Sequence, residues 1–303
     1  MIVVLVPELE ALLREAGQAP GRVGHILARG RCRRLDISHY QSELLTGQAL
    51  PPAPLTRLFD QPQDADGAWI RADPVKLVPD LNAVWMQPGA ELAPASVAAG
   101  ELTALFADNG LQFDLPAPGR GYLRLQQAPA CRFIPPWAVS GQSLDHVLPV
   151  GADARPWRKL LNEAQMLLHQ HLDNDRNGAT QPGGLWFWGA GKLPLRETVS
   201  TRVSSVCGSD PVLIALARWL AMAGHAMNGD QLPPASSLSE WQVKPELGAE
   251  QNLAALDDWL KPLWRRLRSG RLRVLELASR ERAWTLNPGA AWCFWRRADS
   301  GPG

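Results

Sequence analysis

The stretch HQHLDNDRNGATQPGGLWFWGAGKLP, residues 169–194, decides which fold this sequence favours. It follows residues 156–171, in which apolar side chains recur on one face of a predicted helix. Residues 184–188 (GLWFW) are a short apolar run typical of a buried strand, and residues 189–192 (GAGK) predict a turn after it. A helix followed by a buried strand is the repeating unit of an α/β fold.

On either side of this stretch the chain alternates between segments of strand length and helix length. Residues 1–6 (MIVVLV) form a continuous apolar run before Pro7, which indicates a buried, central parallel strand. Further strands are predicted at 68–77 with a break at Pro74, and at 121–125, 272–277 and 291–295. Helices are predicted at 8–15, 22–29, 97–107, from Asp210-Pro211 to Gly224, and at 253–267 with Pro262 inside. The proline-rich residues 47–67 predict a long connection.

Composition narrows the class of protein. The 303 residues are 46% hydrophobic and 20% charged, which allows a sizeable core. The formal net charge of +1 gives no electrostatic reason to bind nucleic acid or an anionic membrane. No apolar run reaches the roughly 20 residues that cross a bilayer, and the amino terminus lacks the basic start of a signal peptide. Four well-separated cysteines fit free thiols, so we expect a cytoplasmic protein.

Short motifs in a fixed order resemble one family. They are SHYQSELLTG (38–47), WIRADPV (69–75), PGRGYLR (118–124), the 169–194 stretch, residues 207–224, and WQVKPELGAEQ (241–251) with RVLEL (273–277). Together they resemble the archaeal-type cofactor-independent phosphoglycerate mutases, in which a helix ending in His-Pro-Val-Asn precedes an Arg and then Trp-Leu-Trp-Gly-x-Gly. The chain resembles the RpfE-type regulatory proteins of bacteria more closely. The resemblance extends over nearly the whole chain.

The resemblance implies a fold and a division of the chain. It implies an α/β protein with an alkaline-phosphatase-like core, a mainly parallel sheet and an inserted α+β region. Residues 1–50 and 195–303 would form the core, and residues 51–194 the insertion. The ends of the first strand, the Ser38 segment and residues 243–250 would then meet at one edge of the sheet.

The resemblance also implies a chemistry that these residues do not repeat. In the mutases two divalent ions held by Asp and His activate a Ser nucleophile. Here the first strand leads to Pro7-Glu8, the Ser-Asp segment becomes Ser38-His39, and a later Asp-His pair falls near Ser279-Arg280. The Pro-Asp-Glu-Ala-Gly-His segment becomes residues 245–250 (PELGAE) and loses its His. We therefore expect no metal centre and no cofactor, and Ser38 remains a weak candidate nucleophile.

Candidate ligand-binding residues lie in the matching stretches: Arg71, Arg124, His171, Asn174, Arg176, Trp186, Trp188, Gly189, Gly191 and Lys192. The arginines suit phosphate or carboxylate, with surface ion pairing as the alternative. Gly189, Gly191 and Lys192 form either an anion-binding nest or a plain turn. Trp186 and Trp188 share one side of a strand, where they wall a pocket or pack in a core.

Three functions of different classes stay open at this point. The first is a non-catalytic regulatory protein that keeps a mutase-like frame for an unknown protein partner or ligand. The second is a sensor that binds a small phosphorylated carboxylic acid through Arg71, Arg176 and Lys192. The third is a weak phosphotransferase or phosphatase, in which Ser38 would lie among at least three Asp, Glu or His side chains.

Overall fold

A computed structural model describes residues 1–64, 66–80, 83–139, 142–172, 182–225 and 232–292 of the protein. The chain divides into two compact units. Unit 1 contains Met1–Leu50 and Arg196–Gly303, and unit 2 contains Pro51–Leu195. Each unit has its own sheet, so some candidate site residues lie in unit 1 and the others lie in unit 2.

The described helices and strands follow one another along the whole chain. The helices are α1 Leu9–Ala16, α2 Gly21–Arg29, α3 Tyr40–Thr46, α4 Pro52–Asp60, α5 Val97–Asp108, α6 Pro136–Val139, α7 Ala154–Leu172, α8 Pro211–Trp219, α9 Ala249–Arg268 and α10 Pro288–Trp292. The strands are β1 Ile2–Leu5, β2 Arg31–Arg34, β3 Ala68–Asp80, β4 Ala83–Pro88, β5 Gln112–Ala117, β6 Arg120–Leu125, β7 Cys131–Arg132, β8 Val150–Gly151, β9 Gly184–Lys192, β10 Ser205–Cys207, β11 Ala223–His225, β12 Ser237–Glu240, β13 Leu275–Ala278 and β14 Arg282–Leu286.

Unit 1 is built on a seven-stranded sheet in the order β11-β10-β12-β1-β13-β14-β2. The strands from β11 to β13 run parallel, while β14 runs antiparallel to both of its neighbours. The predicted strand at residues 1–6 is β1, which lies at the centre of the sheet with both faces buried. Apolar residues of α1, α2 and α9 cover one face, where Leu253, Leu256 and Leu260 pack with Leu275 and Leu277 of β13. The α/β class with a mainly parallel sheet is confirmed.

Unit 2 is an antiparallel sheet with helices packed on it. The long strand β3 pairs with β9 along one side, and with β6 and then β4 along the other. Helices α4 and α7 pack against β9, and α5 packs against β5 and α7. The helix predicted at residues 156–171 corresponds to α7, and the helix predicted at 97–107 corresponds to α5. Both have the spacing of apolar residues that is expected of a helix packed on a sheet.

Prolines caused two wrong predictions. Residues 47–67 contain α4, because Pro51 and Pro52 stand at its amino end, where no N–H is needed within the helix. Strand β3 continues through Pro74, which lies between the part paired with β6 (68–71) and the part paired with β4 (75–80). The missing N–H of Pro74 therefore interrupts neither of these two ladders.

Three further boundaries differ from the sequence-based expectation. Strand β9 continues to Lys192, so residues 189–192 are not a separate turn. Gly191 and Lys192 pair with β3 beyond a bulge. Helix α8 ends at Trp219, and Gly224 lies in β11. Of the strand predicted at 291–295, residues 291 and 292 belong to α10, and residues 293–295 lie outside the described residues. No helix within the described ranges is both long and apolar enough to cross a membrane.

Candidate functional site

The carboxyl ends of the parallel strands in unit 1 bring polar side chains to one edge of the sheet. In open α/β sheets this edge is where ligands bind. Each strand there is followed by polar residues: β1 by Glu8 and Glu10, β13 by Ser279 and Arg280, and β10 by Ser209 and Asp210. Strand β12 ends in Glu240, and α3 begins at this edge with Tyr40 and Gln41. We call these residues the carboxyl-edge cluster.

An arginine takes the central position in the carboxyl-edge cluster. The Nη2 of Arg280 donates to Oε1 of Glu8 at 2.9 Å. Arg280 also hydrogen-bonds the hydroxyl of Tyr40, a side chain that is only 1% exposed. Burial, reinforced by the negative charge of Asp210, raises the pKa of Tyr40 well above its ordinary value, so its hydroxyl keeps its proton at neutral pH.

Backbone N–H groups hold the next carboxylate. Oε2 of Glu240 accepts from the N–H of Ser209 at 2.8 Å and of Asp210 at 3.0 Å. Burial raises the pKa of Glu240, and these hydrogen bonds oppose that effect. Asp210 in turn caps α8: its Oδ1 accepts from the N–H groups of Val212 and Leu213, and its Oδ2 accepts from Nε2 of Gln41.

The third carboxylate, Glu10, is bound to a hydroxyl. The Oγ of Ser279 donates to Oε1 of Glu10. The same Oγ accepts from the N–H groups of Glu281 and Arg282, which fixes its orientation. Burial raises the pKa of Glu10, which favours its neutral form more than in an exposed glutamate.

These residues do not fit the two-metal centre that the resemblance implies. Such a centre needs carboxylates and imidazoles whose free lone pairs converge on one point. Here Glu8 is paired with a guanidinium, and Glu10, Glu240 and Asp210 accept from O–H or N–H groups. Within the part of the chain that the structure describes, no three His, Cys, Asp or Glu side chains form a possible metal site.

Ser38 lies in a turn between β2 and α3, at the same edge of the sheet. Its N–H donates to Oδ1 of Asp36 at 2.8 Å, while Nδ1 of His39 lies 3.2 Å from Oδ2 of Asp36. His39 is therefore oriented by Asp36 and not by Ser38. Among the described residues, the Ser38 hydroxyl makes no hydrogen bond to a carboxylate or an imidazole, and activating a serine needs such a base.

Arg71 and Trp188, two of the predicted ligand-binding residues, meet inside unit 2. Nε of Arg71 donates to Oδ1 of Asp73 at 2.8 Å, and its Nη1 donates to Oγ1 of Thr56 at 3.1 Å. The indole N–H of Trp188 donates to Oδ2 of the same Asp73 at 2.6 Å. Arg71 is 5% exposed and lies over the rings of Trp188 and Tyr122, at 5.0 and 5.3 Å. This group is a closed, internally neutralised network.

A second layer of charged residues surrounds this network, and no pattern in the sequence indicates it. Arg120 makes a bidentate pair with Asp60 at 2.7 and 2.8 Å, and Oδ2 of Asp60 also accepts from the hydroxyl of Tyr122 at 2.6 Å. Arg57 is 1% exposed, pairs with Asp114, and lies 4.6 Å from the ring of Trp69. Residues 57, 60 and 114 sit among prolines and apolar residues, so only the tertiary structure reveals their pairing.

The remaining candidates in unit 2 are dispersed. Trp186 is 3% exposed and donates to the carbonyl of Ile134 at 2.7 Å. Nε2 of His171 lies 2.9 Å from Oε2 of Glu101. Arg124 is exposed and lies 5.9 Å from the Trp69 ring. Asn174 and Arg176 lie outside the described residues.

Two of the three glycines of β9, Gly189 and Gly191, are explained by close packing on α4. A Cβ on Gly191 would lie 2.6 Å from Cβ of Pro51, and one on Gly189 would lie 3.3 Å from the backbone nitrogen of Ala53. Lys192 is exposed and pairs with Ala68, three positions along β3 from Arg71, which is about 10 Å by the rise of a strand. Lys192 and Arg71 therefore lie in different environments.

Comparison with known proteins gives one similarity in sequence. No protein-family model matches the chain. A probable 2,3-bisphosphoglycerate-independent phosphoglycerate mutase from Geobacter sulfurreducens is 34% identical over 84 residues. That match covers 25% of this chain and 21% of the relative, so the chain spans about a fifth of the length of the curated relative it matches.

Two solved structures are similar over most of their length. A cofactor-independent phosphoglycerate mutase from Thermoplasma acidophilum matches with a TM-score of 0.41 and 15% identity, over 95% of this chain and 90% of that one. The protein PH0037 from Pyrococcus horikoshii matches with a TM-score of 0.45 and 11% identity, over 94% and 87%. The sequence match supports a relationship between this chain and the cofactor-independent phosphoglycerate mutases.

Proposed function

We propose that this chain is a non-catalytic regulatory protein of the RpfE type, which keeps a phosphoglycerate mutase-like frame as a binding surface and acts in the cytoplasm. The observation that carries the proposal is the pair between Arg280 and Glu8 in the carboxyl-edge cluster. A guanidinium stands beside the carboxylate that follows the first strand, where the mutases use a metal ligand. A fixed cation bound to that carboxylate competes directly with a divalent ion.

The two other hypotheses have weaker support. A sensor that uses Arg71, Arg176 and Lys192 needs free cationic groups in one pocket, whereas Arg71 is bound to Asp73 and Lys192 lies three ladder positions away. A phosphatase that uses Ser38 needs a base and metal ligands around it, whereas the nearby His39 is paired with Asp36. The regulatory proposal requires neither arrangement.

The decisive test is ligand-dependent thermal unfolding with Mn²⁺, Zn²⁺ and 3-phosphoglycerate, followed by a phosphatase assay under the same conditions. We expect no stabilisation by either metal ion and no turnover. A binding ion at a free concentration of 100 times its dissociation constant would add about 2.7 kcal/mol to the free energy of unfolding, which is readily detected. Metal-dependent stabilisation together with turnover that disappears in Ser38→Ala would overturn the proposal and make the protein an enzyme.

The variant Arg280→Ala tests directly whether Arg280 prevents a metal ion from binding at Glu8. Removing the guanidinium frees Glu8, so weak metal-dependent stabilisation in this variant but not in the wild type would support the view that Arg280 excludes the ion. Arg14→Ala is the matched control, because Arg14 is exposed and lies on α1. If Arg280→Ala responds to metal ions no more than Arg14→Ala does, Arg280 is not what excludes them.

A further inference from the structure

A cavity of about 420 Å³ opens on the sheet of unit 1, near the amino ends of its parallel strands. It is lined by Arg31, Arg33, Arg202, Val274, Thr285 and Asn287. Glu276, Thr285 and Arg31 are cross-strand neighbours on β13, β14 and β2, so their side chains share one face of the sheet. Leu275 and Leu277 on the other face pack against α9. The cavity therefore lies on the face away from α9, at the end of the strands opposite the carboxyl-edge cluster.

A fully buried glutamate organises two of the three arginines. Arg202 donates to both oxygens of Glu276, at 3.1 and 2.8 Å, and Nη2 of Arg33 donates to Oε1 at 3.0 Å. Burial alone would raise the pKa of Glu276, but these two guanidinium groups outweigh it and hold the pKa below its ordinary value. Glu276 is thus an anion in the folded protein, and it fixes Arg33 and Arg202 in place.

The charges in this cavity do not balance. Three guanidinium groups face one carboxylate, which leaves an excess of two positive charges. Arg31 is exposed, and none of the contacts among the described residues pairs it with an acid. The side chain of Arg33 is 36% exposed and bonds Glu276 through a single nitrogen, so its remaining N–H groups stay available.

Asn287 adds a further donor group to the lining of the cavity. Oδ1 of Asn287 already accepts from the N–H of Ala290 at 2.9 Å, which leaves its NH₂ group. The hydroxyl of Thr285 donates to Oε2 of Glu276 at 3.0 Å, so its oxygen can act only as an acceptor. Two guanidinium groups and an amide NH₂ beside a small cavity match an oxyanion, which offers only acceptors.

We propose that this cavity binds the phosphate group of a small metabolite, with Arg31 and Arg33 as its charged contacts and Asn287 as a further donor. Arginine suits a phosphate because its planar N–H groups bind two oxygens at once. A volume of about 420 Å³ lies within the range of small-molecule sites, which start near roughly 300 Å³. The proposal is independent of the proposed function, because it concerns the opposite end of the sheet.

The test measures binding of inorganic phosphate and of pyrophosphate to the whole protein, by thermal unfolding and by isothermal calorimetry. Sodium chloride at matched ionic strength gives the reference. We expect both anions to stabilise the wild type, and Arg31→Gln to weaken their binding by about tenfold or more, as the loss of a charge-assisted bond predicts. Arg31 makes no ion pair with the described residues, so this variant should fold normally.

Arg34→Gln is the matched control. Arg34 is exposed on the same strand, carries the same charge, and points to the opposite face of the sheet from Arg31. It should bind phosphate as the wild type does, and Arg31→Lys should retain part of the affinity. Equal losses in Arg31→Gln and Arg34→Gln would overturn the proposal by showing non-specific attraction. An unchanged affinity in Arg31→Gln, or no binding by the wild type, would overturn it as well.

Discussion

Two buried carboxylates of this protein, Asp73 and Glu276, are bound by arginine side chains. Asp73 is bound by Arg71 and Trp188, and Glu276 by Arg33 and Arg202. A buried charge without a partner costs several kcal/mol, so removing one member of such a pair leaves a penalty larger than the value of the pair itself. The buried acids with arginine partners are therefore the positions at which single substitutions should have the largest effects.

Glu276→Gln should show both the size and the pH dependence of this effect. The folded pKa of Glu276 lies below its unfolded value of about 4.3, so its contribution is present above that pH and is lost as the pH falls through the folded pKa. We expect the variant to be less stable by roughly 3 kcal/mol at pH 7 and the difference to shrink below about pH 4. Urea unfolding at both pH values measures this.

The control for this prediction is Glu15→Gln, because Glu15 is exposed on α1. It should change stability little at either pH. If Glu276→Gln lost the same free energy at pH 7 and at low pH, its effect would come from packing and not from the ionised carboxylate.

At the scale of single elements, the neighbouring residues in space decide whether a proline or a glycine can lie in a helix or a strand. Pro51 and Pro52 begin α4, and Pro74 lies between two ladders of β3. Strand β9 uses glycine where it crosses the start of α4. In the sequence alone these prolines and glycines predict loops. The neighbours that allow them in a helix or a strand come from distant parts of the chain, so the local sequence does not show them.

Gly191→Ala should destabilise unit 2 by about 2 kcal/mol, because the added methyl group would lie 2.6 Å from the ring of Pro51, which cannot move aside by rotation. Gly100→Ala is a natural contrast: Gly100 lies inside α5 with open space at its Cβ, and alanine there should stabilise by about 0.5–1 kcal/mol. Denaturant midpoints of both variants measure the two effects. Equal effects would argue against close packing of β9 on α4.

At the scale of the whole molecule, the contacts separate the chain into two units. Residues Pro51–Leu195 form unit 2, with its own sheet, helices and charged network. Unit 1 joins the two ends of the chain through β1, which pairs with β12 and β13. Each unit has its own buried apolar cluster, which is the usual property of an independently folding domain.

A fragment of residues 51–195 should therefore fold alone. Trp69 packs with Ala53 and Tyr122, and Phe106 packs with Phe113 and Phe187, all within the unit. We expect native-like near-ultraviolet circular dichroism from its tryptophans and a cooperative urea transition. A spectrum without near-ultraviolet signal and a gradual transition would show that unit 2 needs the rest of the chain. The variant Gly191→Ala should lower the midpoint of the fragment as it does in the intact protein.

The sequence by itself determined the fold class and several of the regular elements. The apolar run of β1, the helical spacing of α5 and α7 and the Asp210 cap of α8 are local signals, and each is confirmed. The sequence also pointed to Arg71 and Trp188, but it could not show that both bind Asp73. Whether a charge is free or neutralised depends on partners far away in sequence.

Only the tertiary structure decided which arginines form ion pairs with an acidic residue. Arg280 is bound to Glu8 across 272 positions and Arg33 to Glu276 across 243, while Arg31 stays available on the same strand as Arg33. Neighbouring arginines look alike in a sequence, because their side chains are identical and their spacing is local. The pairing of the strands places Arg33 beside the buried Glu276 and leaves Arg31 facing the open cavity. This placement decides which arginine is neutralised and which can bind an anion.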